Sequence, residues 1–173
     1  MIQSIRDSIA GTAWICYKIG SWVLFCGKEF FMKIVVYEQL PQDAREIRRQ
    51  VFTEEQGFQN EFDEIDSMAK GILLYDASKP VGTCRFFYSM DRKAYVIGRV
   101  AVLKNYRGQH LGALLLEAAE REICKEKEER IDLHAQVQAA EFYRVQGYVS
   151  TGEIGEEEGC PHVWMTKKGV MGK

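Results

Sequence analysis

No two cysteines of this chain stand in a C-x-x-C pair: Cys16, Cys26, Cys84, Cys124 and Cys160 are scattered and odd in number. That spacing excludes a disulfide framework and suits thiols in a reducing compartment, so a cytoplasmic location is expected. Histidine is also sparse. His110, His134 and His162 lack metal-ligand spacing, and no metal is expected. Charge of one sign is missing too. Lys and Arg total 23 against 25 Asp and Glu, a net charge of −2, which lacks the basic footprint of a nucleic-acid-binding surface. Internal repeats and low-complexity segments are absent. So is a clean membrane-spanning run: residues 9–27 are apolar and aromatic but fall short of the roughly 20 residues a helix needs to cross a bilayer. Lys18 near their middle argues further against spanning. Without a cleaner apolar stretch and a small-residue cleavage site, they do not read as a signal peptide.

What remains is ordinary globular material. Of the 173 residues, 46% are apolar and 28% charged, enough for one domain with a real core. Met32, followed by K-I-V-V-Y, reads as the start of that domain, spanning residues 32–173. Residues 1–31 are expected to be an apolar extension outside the fold. Three readings stay open for them: an extension without function, a membrane-associating helix, or a partner-contacting one.

Periodicity organises the domain. Residues 33–37 predict a strand; Pro41 suits the first position of a helix whose stripe is Leu40, Ala44, Ile47 and Val51, with Gly57 as its cap. Residues 59–68 read as an acidic loop or short helix. A hairpin is predicted from residues 71–75 and 81–88 through the turn at 76–80. Val96, Gly98, Val100 and Val102 alternate with Ile97, Arg99 and Ala101, which predicts a central strand covered on both faces. Leu111, Leu114, Leu115, Ala118, Ala119 and Ile123 then follow helical spacing, and the charge run at 125–130 is a solvated last turn. Alternation over 131–138 predicts a strand, and residues 139–146 a short helix stopped by Gly147. Residues 148–151 and 162–167 complete the strands around an acidic, glycine-rich loop. The order gives an α+β fold with a mixed, mostly antiparallel sheet flanked by helices.

The most informative stretch is residues 97–116, I-G-R-V-A-V-L-K-N-Y-R-G-Q-H-L-G-A-L-L-L. Here an apolar strand passes through a basic, glycine-bearing turn into a helix. Exposed backbone N–H groups, a positive helix end and an arginine converge where a phosphate can sit. Neither Gly108 nor Gly112 carries a Cβ, so backbone can approach a ligand closely.

Two motifs now carry a resemblance. Arg107, Gly108, Gln109, His110, Leu111 and Gly112, after Val100-Ala101-Val102, are similar to the acetyl-CoA motif of the GNAT superfamily of N-acyltransferases. Downstream, Gln136, Ala139, Phe142, Tyr143, Gly147 and Tyr148 resemble its second motif. His110 stands where the family usually has glycine, Gln136 where it has asparagine, and Tyr148 where it has phenylalanine. His110 would either weaken cofactor binding or add a hydrogen bond to it. The segments V-F-T-E-E-Q at 51–56, Asp63, Asp66, and G-C-P-H-V-W-M at 159–165 look like the ElaA/YjcF-like branch.

The resemblance implies the GNAT fold and transfer of an acetyl group from acetyl-CoA, as co-substrate, to a primary amine within a ternary complex. Cofactor contacts are expected from Val100, Ala101, Val102, Arg107, Gly108, Gln109, His110, Leu111, Gly112, Gln136 and Tyr143. Tyr143 is also the expected general acid for the departing thiolate. Because a lysine-like amine arrives protonated, a base is needed; Glu55 and Asp66, flanking the acceptor side, are the candidates. Arg99, His134 and His162 are the candidate substrate contacts. The acceptor is a small-molecule or protein amine, and a homodimer is left open. A catalytically weak acyl-CoA-binding regulatory or interaction module is the alternative.

Overall fold

Turn chemistry and alternation set out the sheet. The computed structural model describes the backbone of residues 3–4, 13–18, 21–26, 30–126 and 130–168, with side chains from Met32 onward. Ten strands form one sheet: β1 (Gln3–Ser4), β2 (Ala13–Lys18), β3 (Ser21–Cys26), β4 (Phe30–Tyr37), β5 (Lys70–Asp76), β6 (Lys79–Ser89), β7 (Ala94–Val102), β8 (Arg130–Gln136), β9 (Val149–Glu157) and β10 (Cys160–Lys168). Their spatial order is β1-β2-β3-β4-β5-β6-β7-β8-β10-β9. Neighbours run antiparallel except β7 and β8, which are parallel and linked by a crossover through a helix. The predicted α+β sheet, mixed and mostly antiparallel, is the one observed.

Helices cover both faces. On one, α2 (Leu111–Lys125) lays Leu111, Leu115, Leu116, Ala119 and Ile123 against Ile72, Leu74, Phe86, Ile97 and Leu133. On the other, α1 (Gln42–Arg48) sets Ala44 and Ile47 against Leu73 and Ala101. Each fully buried aliphatic side chain contributes about 1.5–3 kcal/mol, so these two layers hold the central strands in place. The short α3 (Ala140–Val145) packs on the α2 side and ends as predicted. Gly147 takes φ 91°, and the Tyr148 N–H donates to the Tyr143 carbonyl.

Several expectations change. Pro41 is the residue before α1, with extended backbone, rather than its first helical residue; Leu40 still reaches the core. The helix continues past Arg48 as π-helical turns over Arg49–Glu55 before Gly57, at φ 82°, turns the chain. The acidic stretch expected as a loop is strand β9, paired with β10 across a two-residue turn, Glu158-Gly159. Both turn residues have positive φ, 52° and 73°, a geometry that matches the twist of a hairpin. Being an edge strand exposed along its length, β9 needs no apolar alternation, so its sequence hides it.

Within residues 9–27, the described stretches are β2 and β3, not a helix, and β3 pairs onto β4. The A-W-I-C-Y-K and S-W-V-L-F-C segments are rich in β-branched and aromatic residues, which favour strands. Among the described residues no helix is long and apolar enough to cross a membrane. The charge run at 125–130 falls partly outside the described residues.

Candidate active site

The site begins with an irregularity in β7. Thr83 pairs with Ala101 but Arg85 pairs with Gly98, so Cys84 alone faces Arg99 and Val100 together. Arg99 supplies the extra residue in left-handed conformation, φ 53°. This bulge overturns the predicted alternation: Ile97, Val100 and Val102 all lie on the α2 side, with Ala101 on the α1 side. Beyond it the sheet opens. Parallel pairing of β7 with β8 stops at Ile97 and Leu133, so among the described residues no strand pairs with residues 98–102 on that edge.

Below the opening lies the glycine-bearing turn. Gly108 (φ 77°) and His110 (φ 59°) are both left-handed, and His110 precedes α2 without a side-chain cap. Among the described residues, the N–H groups of residues 109–112 find no protein acceptor, so they stand ready for an anion at a positive helix end. At Gly112 a Cβ would lie 3.1 Å from Phe142 Cζ, so glycine is what lets α3 close over the turn. These features fit the diphosphate and the slender amide chain of coenzyme A. The Arg107 guanidinium, however, is already engaged: Nη1 and Nη2 meet Glu55 Oε1 and Oε2 at 2.6 and 2.8 Å, and Nε donates to the Val102 carbonyl at 3.0 Å.

Above the turn, a cleft of about 160 Å³ is lined by Phe52, Gln56, Phe58, Arg99, Val100, His134, Gln136, Ala139, Tyr143 and His162. The sequence-derived contacts Arg99, Val100, His134, Gln136, Tyr143 and His162 therefore converge on one space. Tyr143 holds its ring edge-on to Phe142 and Tyr148, at 4.9 and 6.2 Å between centroids. Burial, with the Cys84 thiol nearby, raises its pKa, which keeps the phenol protonated. Gln136 Nε2 donates to Gln56 Oε1 at 2.8 Å and ties the end of β8 to the segment after α1.

One wall is aromatic and basic. His134 stacks on Trp164 at 4.6 Å and lies 4.9 Å from His162. Its Nδ1 is 3.7 Å from Glu157 Oε2, while its Nε2 is enclosed beside Gly155, without a partner among the described residues. His162 is buried, and its Nδ1 lies 2.8 Å from the Cys160 carbonyl. In the sequence Glu157 falls within the stretch expected as an acidic, glycine-rich loop. The structure brings it to Arg99 Nη1 at 2.8 Å, where His134 and then Arg99, against the effect of burial, hold its carboxyl down at about 2. The only signal that could have found it is the two-residue glycine turn that makes residues 149–168 a hairpin.

Neither candidate base reaches the cleft wall. Glu55 faces Arg107, which lowers its pKa, and lines a separate exposed groove with Glu54, Lys104 and Tyr106. Asp66 is buried between Arg48 Nη1 at 2.7 Å and Arg85 Nη1 at 2.6 Å. Burial alone would raise its pKa, but the two arginines outweigh it and hold it below the ordinary value. Asp66 is thus the centre of an ionic network. Arg48 also meets Glu61 at 2.6 Å, Arg85 meets Asp63 at 2.5 Å, and Arg99 meets Glu61 at 3.1 Å. Both expected bases are thus held by arginines and lie outside the cleft lining. No group of three or more His, Cys, Asp or Glu among the described residues is placed to hold a metal.

Comparison with known proteins agrees with this geometry. Residues 36–169 match the Acetyltransferase (GNAT) domain family. A Bacillus subtilis (strain 168) protein bearing a provisional acetyltransferase name is 38% identical over 142 residues, 79% of this chain and 95% of that protein. YjcF of the same organism, named as an uncharacterised N-acetyltransferase, is 33% identical over 141 residues, 79% of this chain and 99% of its own. The crystal structure of Escherichia coli ElaA superposes with a TM-score of 0.69 at 25% identity, covering 80% of this chain and 99% of ElaA. The split beside β7, the amide-rich turn and these likenesses together make the chain a member of the GNAT acetyltransferase family, in its ElaA/YjcF-like branch.

Proposed function

We propose that residues 32–173 act as an N-acetyltransferase that moves an acetyl group from acetyl-CoA to a primary amine by direct attack in a ternary complex. The observation that carries this reading is the coincidence of three features: the strand-wide gap beside residues 98–102, the unsatisfied amides at 109–112, and Tyr143 in the cleft that Arg99 and Val100 also line. The amides of 109–112 would hold the diphosphate, with Arg107 joining them once Glu55 lets go. That exchange is easy because the Arg107–Glu55 pair lies in solvent. The open β7 edge would accept the pantetheine amides as a strand accepts a neighbour.

Tyr143 supplies the proton that the leaving thiolate needs, and its raised pKa keeps it in the acid form at neutral pH. Arg99, His134 and His162 face the acceptor. The free thiols of Cys84 and Cys160 suit the cytoplasm. Isothermal calorimetry with acetyl-CoA and a thiol-release screen across amines, polyamines and peptides test the proposal. Micromolar binding with turnover on at least one amine is expected.

A second reading, a catalytically weak acyl-CoA-binding module, is favoured by one observation. Left-handed His110 places an imidazole at the diphosphate turn. Binding without turnover on any acceptor would select it.

A further inference from the structure

We propose that His162 is the group that takes the proton from the acceptor amine, a role that rests on the acetyltransferase reading above. Three observations carry it. First, its Nδ1 lies 2.8 Å from the Cys160 carbonyl. A carbonyl only accepts, so Nδ1 carries the hydrogen and Nε2 holds the lone pair, a tautomer fixed by backbone. Second, His162 is 4% exposed and lines the same small cleft as Tyr143 and Val100, which shields it from bulk solvent. Third, the competitors are spent. Glu55 lines a separate exposed groove and not this cleft, Asp66 and Glu157 are each in ion pairs with arginine, and the Nε2 of His134 is enclosed against Gly155. The charged and titratable groups around His162 are Glu157 from β9, His134 from β8, Arg99 from β7 and Tyr143 from α3.

The proton balance closes. The ammonium of the acceptor gives one proton to His162 Nε2, and the freed nitrogen lone pair forms the bond to the thioester carbonyl carbon. The carbon–sulfur bond breaks, its electron pair leaves with sulfur, and the Tyr143 phenol protonates that sulfur. The new amide nitrogen loses its second proton to the tyrosinate through water, and the imidazolium returns its proton to solvent. No oxidant or metal enters.

The test is the pH profile of kcat/KM for the best amine, in the full chain and in His162→Gln. The wild type should show a rising limb of unit slope, set by the deprotonation of one group. H162Q should lose that limb and at least about a hundredfold in turnover while binding acetyl-CoA as before. If H162Q keeps the limb and turns over within twofold of the wild type, the assignment to His162 fails while the acetyltransferase reading stands. If the wild type binds acetyl-CoA but acetylates no amine, both fail. Should H162Q not fold, the imidazole resonance of His162 in the coenzyme-bound wild type replaces it. A titration midpoint matching the kinetic limb supports the assignment, and a mismatch overturns it.

Discussion

Glu55 and Arg107 grip each other through both carboxylate oxygens and both terminal guanidinium nitrogens, at 2.6 and 2.8 Å, 52 residues apart in sequence. The arginine that should meet an anionic coenzyme is therefore held by an internal anion. Glu55→Gln should tighten coenzyme A binding several-fold while leaving turnover close to that of the wild type. Calorimetry and steady-state kinetics check this. A hundredfold loss of turnover at unchanged affinity would instead return Glu55 to the role of base.

Tyr143→Phe removes one hydroxyl from the cleft and little else, because the ring keeps its contacts with Phe142 and Tyr148. Turnover should fall by at least about a hundredfold. Acetyl-CoA affinity should stay within twofold. Unchanged turnover would leave the tyrosine as a packed aromatic only.

The turn before α2 offers a backbone test. His110 sits at φ 59° without a glycine's freedom, a conformation that costs an ordinary residue about 1 kcal/mol or more. His110→Gly should raise the thermal midpoint by a few degrees and show, by the sign of the change in coenzyme affinity, whether the imidazole hinders or helps. Gly112→Ala should act oppositely. Its methyl would lie 3.1 Å from Phe142 Cζ, so that ring must shift by a few tenths of an ångström beside the turn, and coenzyme binding and turnover should weaken together.

Acid stability should follow the buried network. Asp63 and Asp66 are held below the ordinary carboxylate pKa by their arginines, which outweigh burial, and Glu157 is held at about 2. Groups with lowered folded pKa contribute fully above the unfolded value, about 4, and lose that contribution as pH falls through the folded one. Glu61, pushed up by burial, works in the opposite sense. Urea unfolding should therefore show stability dropping between about pH 4 and pH 2. Asp66→Asn should lower stability at neutral pH by less than the about 3–5 kcal/mol of a fully stranded charge, since Arg48 keeps Glu61 and Arg85 keeps Asp63, and should flatten that slope.

The sequence made some of this legible. Helical spacing placed α2, glycine placed the stop after α3, and two motifs placed Tyr143, Gln136 and the turn at 107–112. What escaped it has a physical cause. Strict alternation assumes one residue per step, and left-handed Arg99 breaks it in the middle of β7, so the faces of Val100 and Val102 were inverted. The solvent-facing edge strand β9 bears no apolar signature, and Glu157 was therefore assigned to a loop. Acidic residues near a site look alike in sequence. Only the positions of Arg48, Arg85 and Arg107 separate a paired carboxylate from an available one.

Arg99 combines two jobs in one residue: its φ of 53° bends the strand, and its side chain gathers Glu61, Asp63 and Glu157. Those jobs can be pulled apart. Glycine there would keep the kink and delete the cation, while lysine would keep the cation but neither relieve the backbone nor reproduce the planar fork. Change at this one codon thus alters the shape of the crevice and its electric field by separate routes.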